Sequence, residues 1–555
     1  MFAILLTVSL FSQGLTIVGH GKSFITAFPE NLGFFYRNTS NSLRVTALHD
    51  NTFVDIFFNG SSTPTKKILN LMLGKTETVV FPKSAEVYQL NYSTQSIRIN
   101  STKNIVVHSV SSANFTINTI SAQTNVVQPN ANLGINYLIP SLNYTNFLTT
   151  FGISQSTSSF TRYDSFRLII INAEDTENNI TIVKNISDKI QLVNFTIPSY
   201  QLIQLQADDS MMMVKTSHKI AVLLTHPCLD KTNCSCSMIV NQILPVRFQG
   251  QNFVVPHIQG ITQRQLVMTS NDEASSLSQN NTELTPSSSG YLSLSDLNTQ
   301  YVTASSDVSL RLISPGLFIE LIPEHMFAGC YLLPFYSNSK LAVVIAKTDS
   351  TAQVSLGSNT IDTSAWSEIS NTQYSKAEIT SSDPLALIWT TSSKIVVYIV
   401  DKSGDTIFGG PAIPINEQPA PNGCMIPGEF VVGYQLLKWT ESLAYCTKLE
   451  REFACPINKY IQIEFTKQVN KTNVEGWIGL RQSLMTTEWY WQTSATSASS
   501  SVDYVNWANG QPRANKLEIC ASLSLNGKDD FKWKTARCCK KKLPVCYKPP
   551  KIFIL

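Results

Sequence analysis

Charge is scarce in this chain. Asp, Glu, Lys and Arg make up 15% of its 555 residues, against roughly 25% in ordinary soluble proteins. The formal net charge is only +3, too small for the basic footprint of a nucleic-acid binder. Ser, Thr and Asn are abundant instead, and a surface of hydroxyls and amides suits exposed sheet faces. Long apolar runs are missing beyond the N-terminus: none approaches the roughly 20 residues that span a bilayer, and the tail Lys548-Pro-Pro-Lys-Ile-Phe-Ile-Leu555 is too short to anchor.

Catalytic motifs are missing as well. The seven histidines are scattered, with no His-Glu-x-x-His, no phosphate loop and no nucleophile elbow followed by suitable partners. No enzyme is expected. Cysteine is sparse in the first 400 residues, which hold Cys228, Cys234, Cys236 and Cys330, whereas the last part holds Cys424, Cys446, Cys455, Cys520, Cys538, Cys539 and Cys546. A disulfide-stapled C-terminal domain therefore follows a front part that is not stapled.

The run His226-Pro-Cys228 to Cys234-Ser-Cys236 has the residue types of a tetrahedral zinc site. In an oxidising compartment Cys330 makes the local count even, and two disulfides are the better reading. Either Cys234 or Cys236 pairs with Cys228, leaving the other for Cys330. No metal or other cofactor is expected.

The apolar run Met1–Leu10, followed by the small-x-small triplet Ser12-Gln-Gly14, reads as a signal peptide within residues 1–20. It lacks Lys or Arg, and the alternative is a buried N-terminal strand. Acceptor sequons stand at Asn38, Asn59, Asn91, Asn100, Asn114, Asn143, Asn179, Asn185, Asn194, Asn233, Asn280 and Asn470. All but the last precede residue 300, so glycans are expected to cover the front and leave the end bare. A secreted glycoprotein follows.

The front part repeats itself. Pro129, Gly134, Tyr137 and Pro140 recur in spacing as Pro245, Gly250, Phe253 and Pro256, and again as Pro323, Ala328, Tyr331 and Pro334. A weaker first copy is Gly21-Lys-Ser-Phe24 before Pro29. A second element, a polar turn then a β-branched run, recurs as Ser101–Val107, Ser217–Val222 and Ser393–Val397. Between them lie period-2 segments such as Leu43–Leu48, Val54–Phe58 and Phe166–Ile170. The pattern predicts four β units of roughly 80 to 115 residues, large enough for sandwiches and rather large for propeller blades. The stretch 406–423, dense in Pro and nearly uncharged, reads as an extended linker.

The opening Gly21–Asn31, the segment Phe81–Leu90 and the repeats with Gly or Ala five positions after Pro resemble the N-terminal domain of the mucus IgG Fc-binding protein family over about residues 21–405. The resemblance implies an extracellular binding or adhesive module, with immunoglobulin Fc as one partner. No Fc-contacting residue carries over, because the family has no short motif to match.

Residues 424–548 resemble a short-form C-type lectin-like domain. The landmarks are Trp439–Cys446, Gly476-Trp-Ile-Gly-Leu480, Trp489-Tyr-Trp491, Trp507-x-x-Gly510, Cys520, Trp533-x4-Cys538 and Cys546. The resemblance pairs Cys446 with Cys546 and Cys520 with Cys538, and leaves Cys424, Cys455 and Cys539 unassigned. The expected fold is thus mainly β: about four sandwich-like repeat units, then an α+β lectin-like domain.

Sugar binding in that family uses calcium, a hard cation that needs several converging oxygens. Gln511 and Glu518 stand at two family ligand positions. Arg513 replaces a ligand after Pro512, and Lys534-Thr535 replace the pair after Trp533, so two cations are expected to repel calcium by on the order of several kcal/mol each. Asp503 in its loop reads either as a ligand of a separate structural calcium or, as lone loop carboxylates more often are, as a solvated side chain. The expectation is calcium-independent binding on a basic face of Arg513, Lys516, Lys534, Arg537 and Lys540-Lys-Lys542, suited to sulfated or sialylated glycans; the alternative is a solvated surface. Trp477, Trp489, Trp491 and Trp533 read as core. The chain is expected to act in adhesion or innate immune recognition of extracellular glycoproteins or glycans, with no nucleic-acid partner; a structural part in mucus or an extracellular coat is the alternative.

Overall fold

A computed structural model describes residues 17–552, except 32–37, 154–164, 228–237, 286–290, 294–298, 335–339, 457–461, 526–530 and shorter intervals elsewhere in that range. The chain divides into two compact units, one running up to Cys424 and one spanning Met425–Lys551. The first is almost wholly β. Its strands form where apolar residues alternate: in Thr52–Asn59, Val54, Ile56 and Phe58 are buried while Phe53 faces out.

Four stretches of this unit follow one plan. Each begins with an opening strand, Gly21–Thr26, Gly134–Ile139, Gly250–Val255 or Cys330–Pro334. In the first three a long strand, Ile97–Thr116, Met212–His226 or Gln300–Ser314, pairs through its first part with the opening strand. Its second part pairs with an inner strand, Thr119–Val127, Ile239–Gln242 or Leu317–Glu320. The long strand thereby holds both ends of the sheet around one core. Phe24 and Ile97 from one end meet Leu43 and Val107 from the other. In the fourth stretch the long strand is broken into Leu385–Thr390 and Val396–Ser403, and two five-stranded sheets result.

The repeated residues mark how consecutive stretches interlock. A β-carbon added to Gly21 would lie 2.6 Å from Cβ of Pro129, one on Gly134 2.7 Å from Pro245, and one on Gly250 2.5 Å from Pro323. Each glycine thus lies under the proline that begins the next copy, with a bulge beside it. The fourth copy has Ala328 there, where no further copy follows. The aromatic of the motif is a buried lock. Tyr137 accepts the Gly134 N–H at 2.9 Å and donates to the Ile220 carbonyl at 2.6 Å; Tyr331 does the same with Ala328 and Ile395.

The four stretches close on themselves. The inner strand Thr119–Val127 packs against Ile239–Gln242, that against Leu317–Glu320, that against Thr406–Pro411, and the last against Thr119–Val127 again. Residues 17–20 complete the closure: Ile17 is buried, and the Gly19 N–H donates to the Pro414 carbonyl at 2.8 Å.

Three expectations are corrected here. Residues 17–20, grouped with the leader, belong to the folded unit. The segment 406–423 is not an extended linker up to its end: Thr406–Pro411 and Ile413–Asn416 are paired strands. Ala412, Ile413 and Ile415 are buried, and prolines serve because their carbonyls still accept. Cys330 is bonded to Cys424, 94 residues on, rather than to the cysteines near residue 230. Cys228, Cys234 and Cys236 lie outside the described residues.

Among the sequons, Asn91, Asn179 and Asn194 are exposed, and Asn100 and Asn143 half-buried. Asn233, Asn280 and Asn470, and the side chains of Asn38, Asn59, Asn114 and Asn185, lie outside the description.

The second unit centres on the strand Glu475–Gln482, which pairs with Trp489–Gln492, Cys520–Ser524 and, in parallel, Leu543–Lys548. Its helix Trp439–Lys448 buries Trp439, Leu443 and Cys446, spaced by four and three. Cys446 is bonded to Cys546 and Cys520 to Cys538; Cys455 is a buried thiol and Cys539 an exposed one. Trp477, Trp491 and Trp533 are buried, and Trp489 is half-buried against the same core.

Candidate functional site

The candidate site lies where the loop 506–518 meets the strand Trp533–Ala536. The Trp533 N–H donates to the Asn506 carbonyl and the Ala508 N–H to the Trp533 carbonyl, each at 2.9 Å. The loop then turns through Gly510, whose φ of +73° favours glycine. This geometry sets Gln511 over Thr535.

Gln511 Oε1 accepts the Thr535 N–H at 2.9 Å and lies 2.9 Å from the Thr535 hydroxyl. Oε2 of Glu518 is 3.3 Å from that same hydroxyl. The two residues predicted to approach a ligand site are brought together, but they close on a protein hydroxyl.

A calcium ion needs six to eight oxygens at 2.3–2.6 Å. Here the described residues supply two side chains; the Gln511 oxygen already accepts the Thr535 N–H, and the single Thr535 hydroxyl proton lies between Gln511 Oε1 and Glu518 Oε2. Among the described residues no group of three or more His, Cys, Asp or Glu is placed to hold a metal. The described residues at this corner do not fit the ion.

The reason differs in one respect from that expected. Strand alternation turns Lys534 away from Thr535, and its ammonium lies 3.7 Å from Glu475. Lys542 also bonds to Glu475, and the Ser522 hydroxyl donates to that carboxylate at 3.3 Å. Burial pushes the Glu475 carboxyl up, but Lys542 and Lys534 together hold it below its usual range. Lys534 is therefore not a repelling charge at the Gln511 corner; the occupied oxygen is what stands against calcium.

Of the other basic residues, Arg513, Arg537, Lys540 and Lys541 are exposed, while Lys516 and Asp503 lie outside the described residues. Sequence reasoning missed Glu475. It stands one residue ahead of the Gly476-Trp landmark, and only the cross-strand register 475–524 and 522–534 brings the lysine to it.

The two units define a protein of repeated β modules carrying a small α+β domain with two disulfides. The sequence model of the IgGFc binding protein family matches residues 123–400, half of the chain, and that of the lectin C-type domain matches residues 435–548. The chain belongs to the IgGFc-binding protein family and ends in a C-type lectin domain. Both are families of binding proteins.

Human IgGFc-binding protein is 20% identical over 384 residues, covering 64% of this chain and 7% of that protein. Pig E-selectin is 28% identical over 116 residues, 20% of this chain and 23% of the selectin. The chain thus spans a small part of either relative. Among solved structures, human lithostathine is 20% identical, covers 22% of this chain and 92% of its own, and has a TM-score of 0.20.

Proposed function

We propose that this is a secreted, glycosylated recognition protein whose C-terminal domain binds glycan or glycoprotein ligands without calcium, in adhesion or innate immunity. The observation that carries this reading is the closed set Gln511–Thr535–Glu518, which engages two family ligand positions in hydrogen bonds within the protein. Exposed Arg513, Arg537, Lys540 and Lys541 favour anionic glycans, since a guanidinium forms paired charge-assisted bonds to sulfate or carboxylate. Disulfides, the two families and the lack of a long apolar helix among the described residues support the extracellular setting.

A glycan array with calcium and with EDTA tests this. Sulfated or sialylated ligands are expected to bind equally in both. Mannose or galactose binding abolished by EDTA would overturn the reading.

The family match over 123–400 favours a second reading, in which the β-repeat unit binds immunoglobulin Fc. Pull-down of Fc by the full chain is its test, and no capture at micromolar Fc would remove it. The exposed Cys539 supports a third, a cross-linked coat component. Disulfide-linked oligomers on non-reducing gels are its signature.

A further inference from the structure

Residues 87–95 leave the first β stretch and run along the edge of the second. Tyr92 and Ser93 pair with Ile203 and Leu202, and the side-chain amide and backbone N–H of Gln204 donate to the Gln89 and Asn91 carbonyls, each at 3.0 Å. This segment and Gln201 enclose an open groove of about 330 Å³, whose lining includes Tyr88, Gln89, Tyr92, Thr94, Gln95 and Gln201.

The frame of the groove is fixed and its working groups are open. The Ser93 hydroxyl donates to Gln95 Oε1 at 2.8 Å and the Gln95 amide to the Ser84 carbonyl at 2.7 Å, which holds the turn. Tyr88 and Tyr92 are 47% and 45% exposed, so a ligand can reach both side chains. The side chains of Gln89, Thr94 and Gln201 make no hydrogen bond among the described residues, and none of their polar ends is shut off from water.

Charge and size narrow the ligand. No charged residue lines the groove, so a sulfate or carboxylate there would meet no counter-charge. Amide and hydroxyl side chains both donate and accept, as the hydroxyls of a sugar do. A pyranose ring also carries a flat C–H face, which a tyrosine ring covers while its own hydroxyl stays wet. A cavity of about 150 Å³ holds benzene, and a groove about twice that size takes one or two six-membered rings. Exposed apolar surface rimmed by polar groups is where ligands dock.

We propose that this groove binds an uncharged saccharide of one or two rings, with C–H faces on Tyr88 and Tyr92 and hydroxyls on Gln89, Thr94 and Gln201. It is separate from the C-terminal domain and selects the opposite charge class from the basic face there. Two sources offer this chemistry: a glycan on Asn91 of the same chain, or a glycan of another molecule. Asn91 is exposed next to Tyr92, and its Oδ1 accepts the Tyr92 N–H at 2.8 Å, which leaves the nitrogen of the sequon to carry a sugar. The first source rests on the glycosylated reading above; the groove itself does not.

The test is saturation-transfer NMR with chitobiose, an uncharged disaccharide of N-acetylglucosamine, on the full secreted chain and on its Asn91→Gln variant, which lacks the sequon. Should Asn91→Gln fail to fold, enzymatic removal of glycans from the folded parent takes its place. The variant is expected to bind at millimolar chitobiose. Tyr88→Ala and Tyr92→Ala in that background should each weaken binding about fivefold at an unchanged melting temperature, while Tyr92→Phe keeps the ring and the affinity. A parent that binds at least about tenfold more weakly than Asn91→Gln holds its own glycan in the groove; equal binding assigns the groove to another molecule's glycan. Mass spectrometry of the peptide carrying Asn91 reports its glycosylation separately, and an unmodified Asn91 leaves the second source. The proposal is overturned if Asn91→Gln binds no chitobiose at millimolar concentration, or if binding survives Tyr88→Ala and Tyr92→Ala together, which would place it outside the groove.

Discussion

The glycine–proline interlock is open to a direct test through Gly134→Ala. Its backbone lies outside the left-handed region, so alanine is allowed, and removing a glycine stabilises by about 0.4–1 kcal/mol through the unfolded chain. Against this, the new Cβ would sit 2.7 Å from Cβ and 2.9 Å from Cγ of Pro245. Carbon atoms at rest lie about 3.5–4.0 Å apart, so two contacts are short by about 1 Å, and neither partner is a flexible side-chain end. Overpacking of this kind costs about 1–3 kcal/mol, so the steric term wins and the variant should be about 1–2 kcal/mol less stable. Gly410→Ala is the control, since its β-carbon meets nothing and it keeps the entropic gain. Urea unfolding followed by circular dichroism gives both values. If Gly134→Ala matches Gly410→Ala, or is more stable than the parent, the interlock does not exist. Pro245→Gly in the Gly134→Ala background should restore part of the loss, because the clashing carbon is gone.

Other perturbations read different parts of the molecule. Glu475 is held below its usual carboxyl range in the fold, so its contribution is complete above the unfolded value of 4.5 and is lost as pH falls through the folded one; Glu475→Gln should flatten the acid limb of stability against pH in the second unit. His108, depressed to about 3 by burial and then by Arg44, contributes stability that is full above 6.5 and lost between there and pH 3. His108→Gln should therefore make the first unit less sensitive to acid over that window, and a profile unchanged from the parent would show that the imidazole is not buried neutral. Cys330→Ser opens a loop spanning 94 residues, for which chain entropy gives a loss of about 4.7 kcal/mol. A peptide map joining Cys330 to Cys424 is the prior check, and a bond from Cys330 to Cys228, Cys234 or Cys236 would refute the connectivity.

Much of this fold was legible in the residues because its signals are local. Period-2 alternation named strands such as Thr52–Asn59, and the Pro-Gly-aromatic spacing counted the units. The third long strand escaped the second pattern, since Ser305-Ser-Asp-Val308 lacks the β-branched run, yet Val308 faces Gly250 as Ile105 faces Gly21. The segment 406–416 was misread for a related reason: proline density signals a linker, whereas the burial that makes it a strand comes from the opening strand Cys330–Pro334 far back in the chain.

Composition and spacing by themselves determined a β-rich chain with few charges and its repeat, because each rests on residues close in sequence; the binding class and the two C-terminal disulfide pairings came from the resemblance to the two families. Tertiary structure alone decided what those residues face. It turned Lys534 to Glu475 and Thr535 to Gln511, although the two are neighbours, because adjacent side chains of a strand point to opposite faces. It joined Cys330 to Cys424. It also packed the inner strands Thr119–Val127, Ile239–Gln242, Leu317–Glu320 and Thr406–Pro411 into one cycle, a juxtaposition that exists only once the four stretches close.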